Sequence, residues 1–400
     1  MEVAMTQHPV GQGGMQSGYL QGNNSTLHWV YDCGSNQRDR LKAEIKNVSA
    51  RGPIDLLFLS HLDSDHVNGI DHLLVANTVT EVVLPYMTTI DFAAAIVRDM
   101  TTDSLTGTFL DFVSDPVKWL TTRGVALITF VKAMDDNSPL EEWLAPDREG
   151  QDPTNEEPQL KVSWSPPPGH VRNVRGATVR TIAPGATAGL SGANRMVDWL
   201  FVPYAHKPAS KHMQEFRQCL QLRFGVTLTR ARIVQLVRDE NSREALRNCY
   251  LTFWADHNKV SMSLYAGPAR TPSHSHKDLP FNYWVNGATR VANSALGWLM
   301  TGDADLATRC RYRGLMHYYG PLKGQVSTLV LPHHGAERSF HPALVHELPN
   351  LETCIAAAGP NQYGHPHPDV RACVIERLGE DRWQHVSDHP GSGFGVRARF

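Results

Sequence analysis

Residues 60–69 read SHLDSDHVNG, which places two imidazoles and two carboxylates, His61, Asp63, Asp65 and His66, within six positions. The preceding PIDLLFLS (53–60) is an apolar run bounded by proline and a polar residue, and it reads as a strand. Val67–Ala76 reads as a helix. A polar cluster between a strand's C-terminal end and a helix lies where open α/β architectures place functional groups. Alternate residues of an extended loop can face two cations while the carboxylates offset their charge, so the cluster suits two divalent ions. The plain alternative is a polar turn with hydrogen-bonded histidines, and the flanking strand and helix argue against it.

Working outward, LHWVYDCG (27–34) is a second early strand that ends in a tight loop. A later set of strand signals comprises VSMSLYAG (260–267), GWLMTGD (297–303), STLVLPHHG (327–335) and TCIAAAG (353–359). Several of these ends carry chemistry: Asp303 in TGD, His333 and His334 in PHHG, and His365 and His367 in the following YGHPHP. Singly, each is an ordinary turn or structural residue. Their recurrence at strand ends makes them site candidates. The chain therefore divides into an early half, up to about residue 88, and a late half, from about residue 250, of similar character.

The middle differs. Residues 134–169 are acidic and proline-rich, as a surface excursion is, and they mark the start of an expected insertion. We expect one domain over 1–400, with its core from 1–133 and 250–400 and with 134–249 as an insertion or lid. The arginines at 172, 175, 180, 217, 223, 230, 232, 238, 243 and 247 suit either a solvated helix face or a polyanion-binding face.

Composition bounds the rest. The 400 residues, 41 % hydrophobic and 20 % charged, suit a soluble chain with a sizeable core, and no apolar run is long enough to span a bilayer. No membrane role is expected. MEVAMTQHPVGQGG has neither secretory nor transit character, which makes a cytoplasmic location the default expectation. Six cysteines without a CxxC pair argue for reduced, mostly buried thiols. A net charge of −2 leaves any polyanion to be met by a local basic patch.

The motif set resembles the metallo-β-lactamase superfamily, whose HxHxDH loop stands here as HLDSDH with Asp63 in place of the second histidine. More narrowly it resembles the hydrolase domain of the ComEC-type competence channel. The shared elements are VGQG (10–13), Asp32-x-Gly34, the HxDxDH loop, Asn258 before Ser263-Leu264, TGD, PHHG and YGHPHP, in that order. The resemblance covers roughly 9–88 and 250–380 and leaves the middle unmatched. It implies an α/β fold, the four-layer αββα metallo-β-lactamase sandwich, here with a large middle insertion.

It also implies a ligand set: His61 and Asp63 on one metal, Asp65 and His66 on the other, Asp303 bridging, and His333 as a further ligand. The separate histidine that many members place between loop and bridge has no counterpart by motif, although His206, His257, His274 and His276 lie in the interval. The implied cofactors are two divalent metal ions, zinc or manganese, with Asp63 shifting preference toward oxygen-loving manganese.

Two such ions about 3.5–4 Å apart activate water for hydrolysis, which makes a nuclease or phosphodiesterase acting on DNA or RNA the leading expectation. Asp65 or Asp303 would orient the water or take its proton, and His365 or His367 would serve a phosphate oxygen or the leaving group. RCRYR (309–313) follows Asp303 closely, as a phosphate contact or as a surface helix start. The alternatives are a hydrolase of a small ester, lactam or phosphorylcholine, and an effector subunit of a multi-protein bacterial system that docks a protein partner through 134–249.

Overall fold

The computed structural model describes residues 2–22, 25–99, 107–133, 160–191, 199–206, 210–225, 229–253, 261–269, 281–285, 288–292 and 295–399. Its strands alternate side chains between two faces, and this period sorts the apolar residues into separate cores. Trp29, Tyr31, Leu56, Phe58 and Val83 point one way, whereas Val30, Leu57, Leu59, Val82 and Leu84 point the other. The same division recurs later in the chain, with Leu264, Trp298 and Met300 on one side and Tyr265, Leu299 and Leu329 on the opposite one.

Two sheets result. The first runs, in spatial order, Ala288–Ala292, Phe281–Val285, Phe394–Arg399, Glu2–Gln7, Gln16–Gln21, Thr26–Tyr31, Ile54–Phe58, Val79–Pro85, Leu127–Val131, Ala177–Ile182 and His170–Val174. The second runs Trp383–Val386, Thr353–Ala357, Val326–Val330, Gly297–Met300, Met262–Pro268, Trp199–Ala205, Thr187–Ser191 and Lys161–Ser165. They face each other across one core, in which Trp29 packs on Trp199 and Phe201 at centroid distances of 5.7 and 5.1 Å.

Helices cover both outer faces. Arg38–Ser49, Ile70–Ala76, Thr89–Asp99, Gly107–Ser114 and Pro116–Thr121 lie on the first sheet. Arg309–Tyr318, Ala343–His346 and Pro368–Leu378 lie on the second. The layering is αββα, as expected.

The described strands of 161–205 belong to these two sheets. Lys161–Ser165, Thr187–Ser191 and Trp199–Ala205 belong to the second sheet, while His170–Val174 and Ala177–Ile182 extend the first. The helices Ser210–Phe224, Arg230–Arg238 and Glu240–Phe253 pack against Thr89–Asp99. Of the expected boundaries, 133 adjoins residues 134–159, which lie outside the described residues, and 250 falls within the helix Glu240–Phe253. Several of the arginines are structural. Arg180 bonds Glu81 and Thr129, and Arg230 and Arg243 donate to the carbonyls of Met87 and Val237.

The cysteine expectation needs correction. Cys219 and Cys249 are joined in a disulfide between two helices of the middle segment, whose packing brings their Cα atoms to 5.9 Å. Cys33 and Cys354 are free and buried, Cys373 is half-buried, and Cys310 is exposed. No helix among the described residues is long and apolar enough to cross a membrane.

Candidate metal centre

Thr26–Tyr31 and Ile54–Phe58 are parallel neighbours in the first sheet, as are Gly297–Met300, Val326–Val330 and Thr353–Ala357 in the second. The segments after their carboxyl ends, 32–35, 59–66, 301–303, 332–335 and 358–367, carry the candidate residues. The expected helix 67–76 differs from the one formed. A first turn spans Ser64–Val67, and Ile70–Ala76 follows after a break at Asn68 and Gly69. The break has a cause: the Asn68 side chain exchanges hydrogen bonds with the backbone of Ser35, and the Gly69 N–H donates to Cys33 O. Asp65 and His66 therefore sit on a helical turn clamped to the 32–35 loop.

Two glycines permit the clamp. A Cβ on Gly14 would lie 2.7 Å from His66 Nδ1, and one on Gly34 would lie 2.4 Å from the His66 backbone. Only a residue without a Cβ allows approaches this close.

Each of the four histidines is anchored through Nδ1. His66 Nδ1 lies 2.8 Å from Asp32 Oδ2, and His61 Nδ1 lies 2.7 Å from Ser60 Oγ. Ser60 Oγ donates to Asp32 Oδ2 at 2.7 Å, which leaves it to accept from His61. His334 Nδ1 donates to Ala357 O at 2.8 Å, and His333 Nδ1 lies 3.1 Å from Ser339 Oγ. His333 and His334 both adopt left-handed backbone, at φ 48° and 59°, an uncommon conformation for non-glycine residues. Every Nε2 is thereby turned inward. Imidazoles oriented through one nitrogen, with the other turned toward a common centre, are the usual arrangement of metal ligands.

Asp303 is where they meet. Its Oδ1 lies 3.1 Å from His66 Nε2 and 3.5 Å from His334 Nε2. Its Oδ2 lies 3.7 Å from His61 Nε2 and 3.6 Å from His333 Nε2. Asp63 Oδ2 is 3.4 Å from His61 Nε2, and Asp65 Oδ2 is 3.6 Å from His334 Nε2. One oxygen of the Asp303 carboxylate thus faces His61 and His333 and the other His66 and His334, with Asp63 beside His61 and Asp65 beside His334.

The donors fit divalent metal. Ligands at about 2.0–2.2 Å around a tetrahedral ion lie about 3.4 Å from one another, close to these separations. His66 Nε2 and His334 Nε2 are also buried without a hydrogen-bond partner. Three potential ligand atoms lie within 4.8 Å of one another in His61, His66 and Asp303, and again in Asp65, His66 and His334.

The charges are tightly linked. Burial opposes a charge on His66, but Asp303 and Asp32 outweigh it and hold the imidazole well above its ordinary range. His334 is likewise raised, by Asp303 and Asp65 acting against burial. Burial would raise the Asp303 and Asp65 carboxyls, yet the surrounding imidazoles hold both below the usual range.

His365 lies at the edge of this cluster, its ring 5.3 Å from that of His333 and 6.3 Å from that of His334. His367 faces elsewhere: it caps Pro368–Leu378 by accepting from Asp369 N–H, and its Nε2 lies 3.4 Å from Glu337 Oε2. Of the interval histidines, His206 is bonded to Ser263 Oγ at 2.9 Å, and burial and Arg311 push its pKa down to about 3. His257, His274, His276 and Asn258 lie outside the described residues.

The sequence marks both His333 and His334 as candidates, but the resemblance implied only His333 as a ligand, whereas His334 is the more buried of the two. Sequence reasoning also assigned no role to Asp32 or Ser60, although both stood in quoted motifs. The signal available for Asp32 is a carboxylate at a strand end two positions before Gly34; the structure adds its left-handed backbone, at φ 58°.

No family model matches the chain, and no curated protein matches it. Among solved structures it is similar to the metallo-beta-lactamase fold protein YhfI from Bacillus subtilis, at 11 % identity over 100 % of both chains with a TM-score of 0.37. It is also similar to the metallo-beta-lactamase SMB-1 bound to 2-mercaptoethanesulfonate, at 14 % identity over 96 % of this chain and 85 % of that one, with a TM-score of 0.28. A third similarity is to the beta-lactamase MIM-1 from Novosphingobium pentaromativorans, at 13 % identity over 94 % and 90 %, with a TM-score of 0.27. The reading of the site rests on its own geometry.

Proposed function

We propose that this protein is a metal-dependent hydrolase of phosphodiester bonds, a nuclease or phosphodiesterase. The observation that carries the reading is the convergence of four Nδ1-anchored imidazoles on the two oxygens of Asp303. His61, Asp63 and His333 would hold one ion, Asp65, His66 and His334 the other, and Asp303 both. Divalent ions bound there supply water activation and neutralise charge at the attacked group. Three carboxylates in the set favour manganese as well as zinc.

The chain's own groups divide the remaining work. Asp303 is 3 % exposed and enclosed by imidazoles, whereas the Asp65 side chain is 21 % exposed, so Asp65 is the carboxylate that takes the proton of the attacking water. His365, beside His333, hydrogen-bonds a phosphate oxygen or protonates the leaving oxygen. Arg309 and Arg313 are exposed at the start of the helix that follows Asp303, a turn apart, and suit backbone phosphates. Arg311 is committed to Asp305.

The test incubates protein loaded with manganese or zinc with linear and circular duplex DNA, single-stranded DNA, RNA, bis-para-nitrophenyl phosphate, para-nitrophenyl phosphorylcholine and a chromogenic lactam, before and after chelation. Cleavage that chelator abolishes and metal restores is the expected result. Activity that survives complete metal removal sinks the reading. Turnover confined to para-nitrophenyl phosphorylcholine or a chromogenic lactam moves the substrate to a small molecule.

A further inference from the structure

The loop 359–367 carries an aromatic ring that the chemistry above does not use. Tyr363 is 56 % exposed, so its ring is open to solvent. Its ring centroid lies 5.8 Å from that of His365 with planes 32° apart, and His365 lies 5.3 Å from His333. His333 Nε2 in turn lies 3.6 Å from Asp303 Oδ2. Tyr363, His365 and His333 thus form a line of rings from solvent to the metal centre.

The loop backbone that carries Tyr363 and His365 is held by one side chain. Asn361 Nδ2 donates to Gly359 O and His365 O, both at 2.8 Å, and Asn361 Oδ1 accepts from Tyr363 N–H at 2.9 Å and His365 N–H at 3.1 Å. Four hydrogen bonds from one side chain fix the backbone on both sides of the exposed ring. A preorganised aromatic loses little freedom when a flat partner stacks on it.

We infer that Tyr363 is the stacking platform for an unpaired nucleobase next to the scissile phosphodiester, which makes single-stranded nucleic acid the preferred substrate; this rests on the phosphodiesterase reading of the same site. A base inside a duplex has its faces covered by its neighbours and cannot reach the ring, whereas every unpaired base offers a π-face. Specificity would then be for strandedness and not for sequence. Tyr363 is a positioning residue, since it orients the substrate and leaves the bond chemistry to the metal centre.

The test measures fluorescence anisotropy of labelled oligothymidylate and oligouridylate with wild type, Tyr363→Ala, Tyr363→Phe and Tyr363→Trp, in calcium to suppress cleavage. The same strands are prepared with one abasic site at successive positions. Tyr363→Ala should weaken binding by about 5- to 150-fold, equivalent to about 1–3 kcal/mol for one stacked base. Phe and Trp should restore it, and the Trp variant should show fluorescence quenching on binding that wild type lacks. At one abasic position the Ala variant and wild type should bind alike. DNA weakened and RNA unaffected, or the reverse, identifies which strand the platform serves.

Equal binding of intact strands by wild type and Tyr363→Ala overturns the inference, as does equal weakening at every abasic position. If wild type neither binds nor cleaves any nucleic acid, the phosphodiesterase reading itself has failed. Unchanged thermal unfolding and unchanged manganese content of the Ala variant guard against misfolding.

Discussion

Replacing Asp32 by asparagine probes the anchoring of the metal centre without touching a proposed ligand. The carboxylate receives three donors: Ser60 N–H on Oδ1 at 2.7 Å, Ser60 Oγ–H on Oδ2 at 2.7 Å, and His66 Nδ1 at 2.8 Å from Oδ2. Asparagine matches its volume and tolerates the left-handed backbone at φ 58°, so the change is chemical and not steric. It offers one acceptor oxygen where three donors converge, and its amide nitrogen must face a donor. Losing a hydrogen bond to a charged group costs about 1.5–3 kcal/mol. Outer partners of metal ligands contribute about 10- to 100-fold in metal affinity, which is about 1.4–2.8 kcal/mol and agrees with the first figure. Manganese affinity, measured by calorimetric titration, should therefore fall by one to two orders of magnitude, with thermal unfolding in chelator confirming a folded variant. An affinity within about threefold of wild type would refute the argument that Asp32 sets the His66 tautomer and orientation.

Three further outcomes follow from the same geometry. His334→Ala should lower manganese affinity by at least the tenfold expected of an outer partner, and by more than Asp32→Asn, because His334 Nε2 is buried against Asp303 and Asp65; full retention of two bound ions would remove it from the ligand set. Metal binding should release protons and strengthen with pH. In the metal-free protein the raised pKa of His66 and His334 holds their protons to higher pH than an ordinary imidazole would, and those protons must leave on binding, so an affinity independent of pH contradicts the scheme. His28 is buried, which lowers its pKa from 6.5 to about 4, so the unfolded chain binds its proton first as pH falls. Its contribution is full above pH 6.5 and is lost progressively down to about pH 4, a loss of about 3 kcal/mol that urea unfolding of wild type against His28→Leu should reveal as a flatter pH profile.

Much of this was legible in the chain itself. Short apolar runs in LHWVYDCG and PIDLLFLS mark buried strands, and Asp303 and the His333–His334 pair at strand ends mark candidate ligand loops, because these signals are local. Other features required contacts between segments far apart in sequence. Whether Asp303 meets His61, His66, His333 and His334 depends on how two sheets face each other. His365 and His367 look equivalent in YGHPHP, yet one ring meets His333 while the other caps a helix and faces Glu337. Likewise no local pattern joins Cys219 to Cys249 or bonds Asp32 to Ser60 and His66. Residue types and their spacing determined that candidate metal-binding groups would lie at strand ends. Which of those groups share one oxygen of Asp303 was decided by sheet packing, because a side chain only about 3.5 Å from its partner is placed by the whole backbone between them.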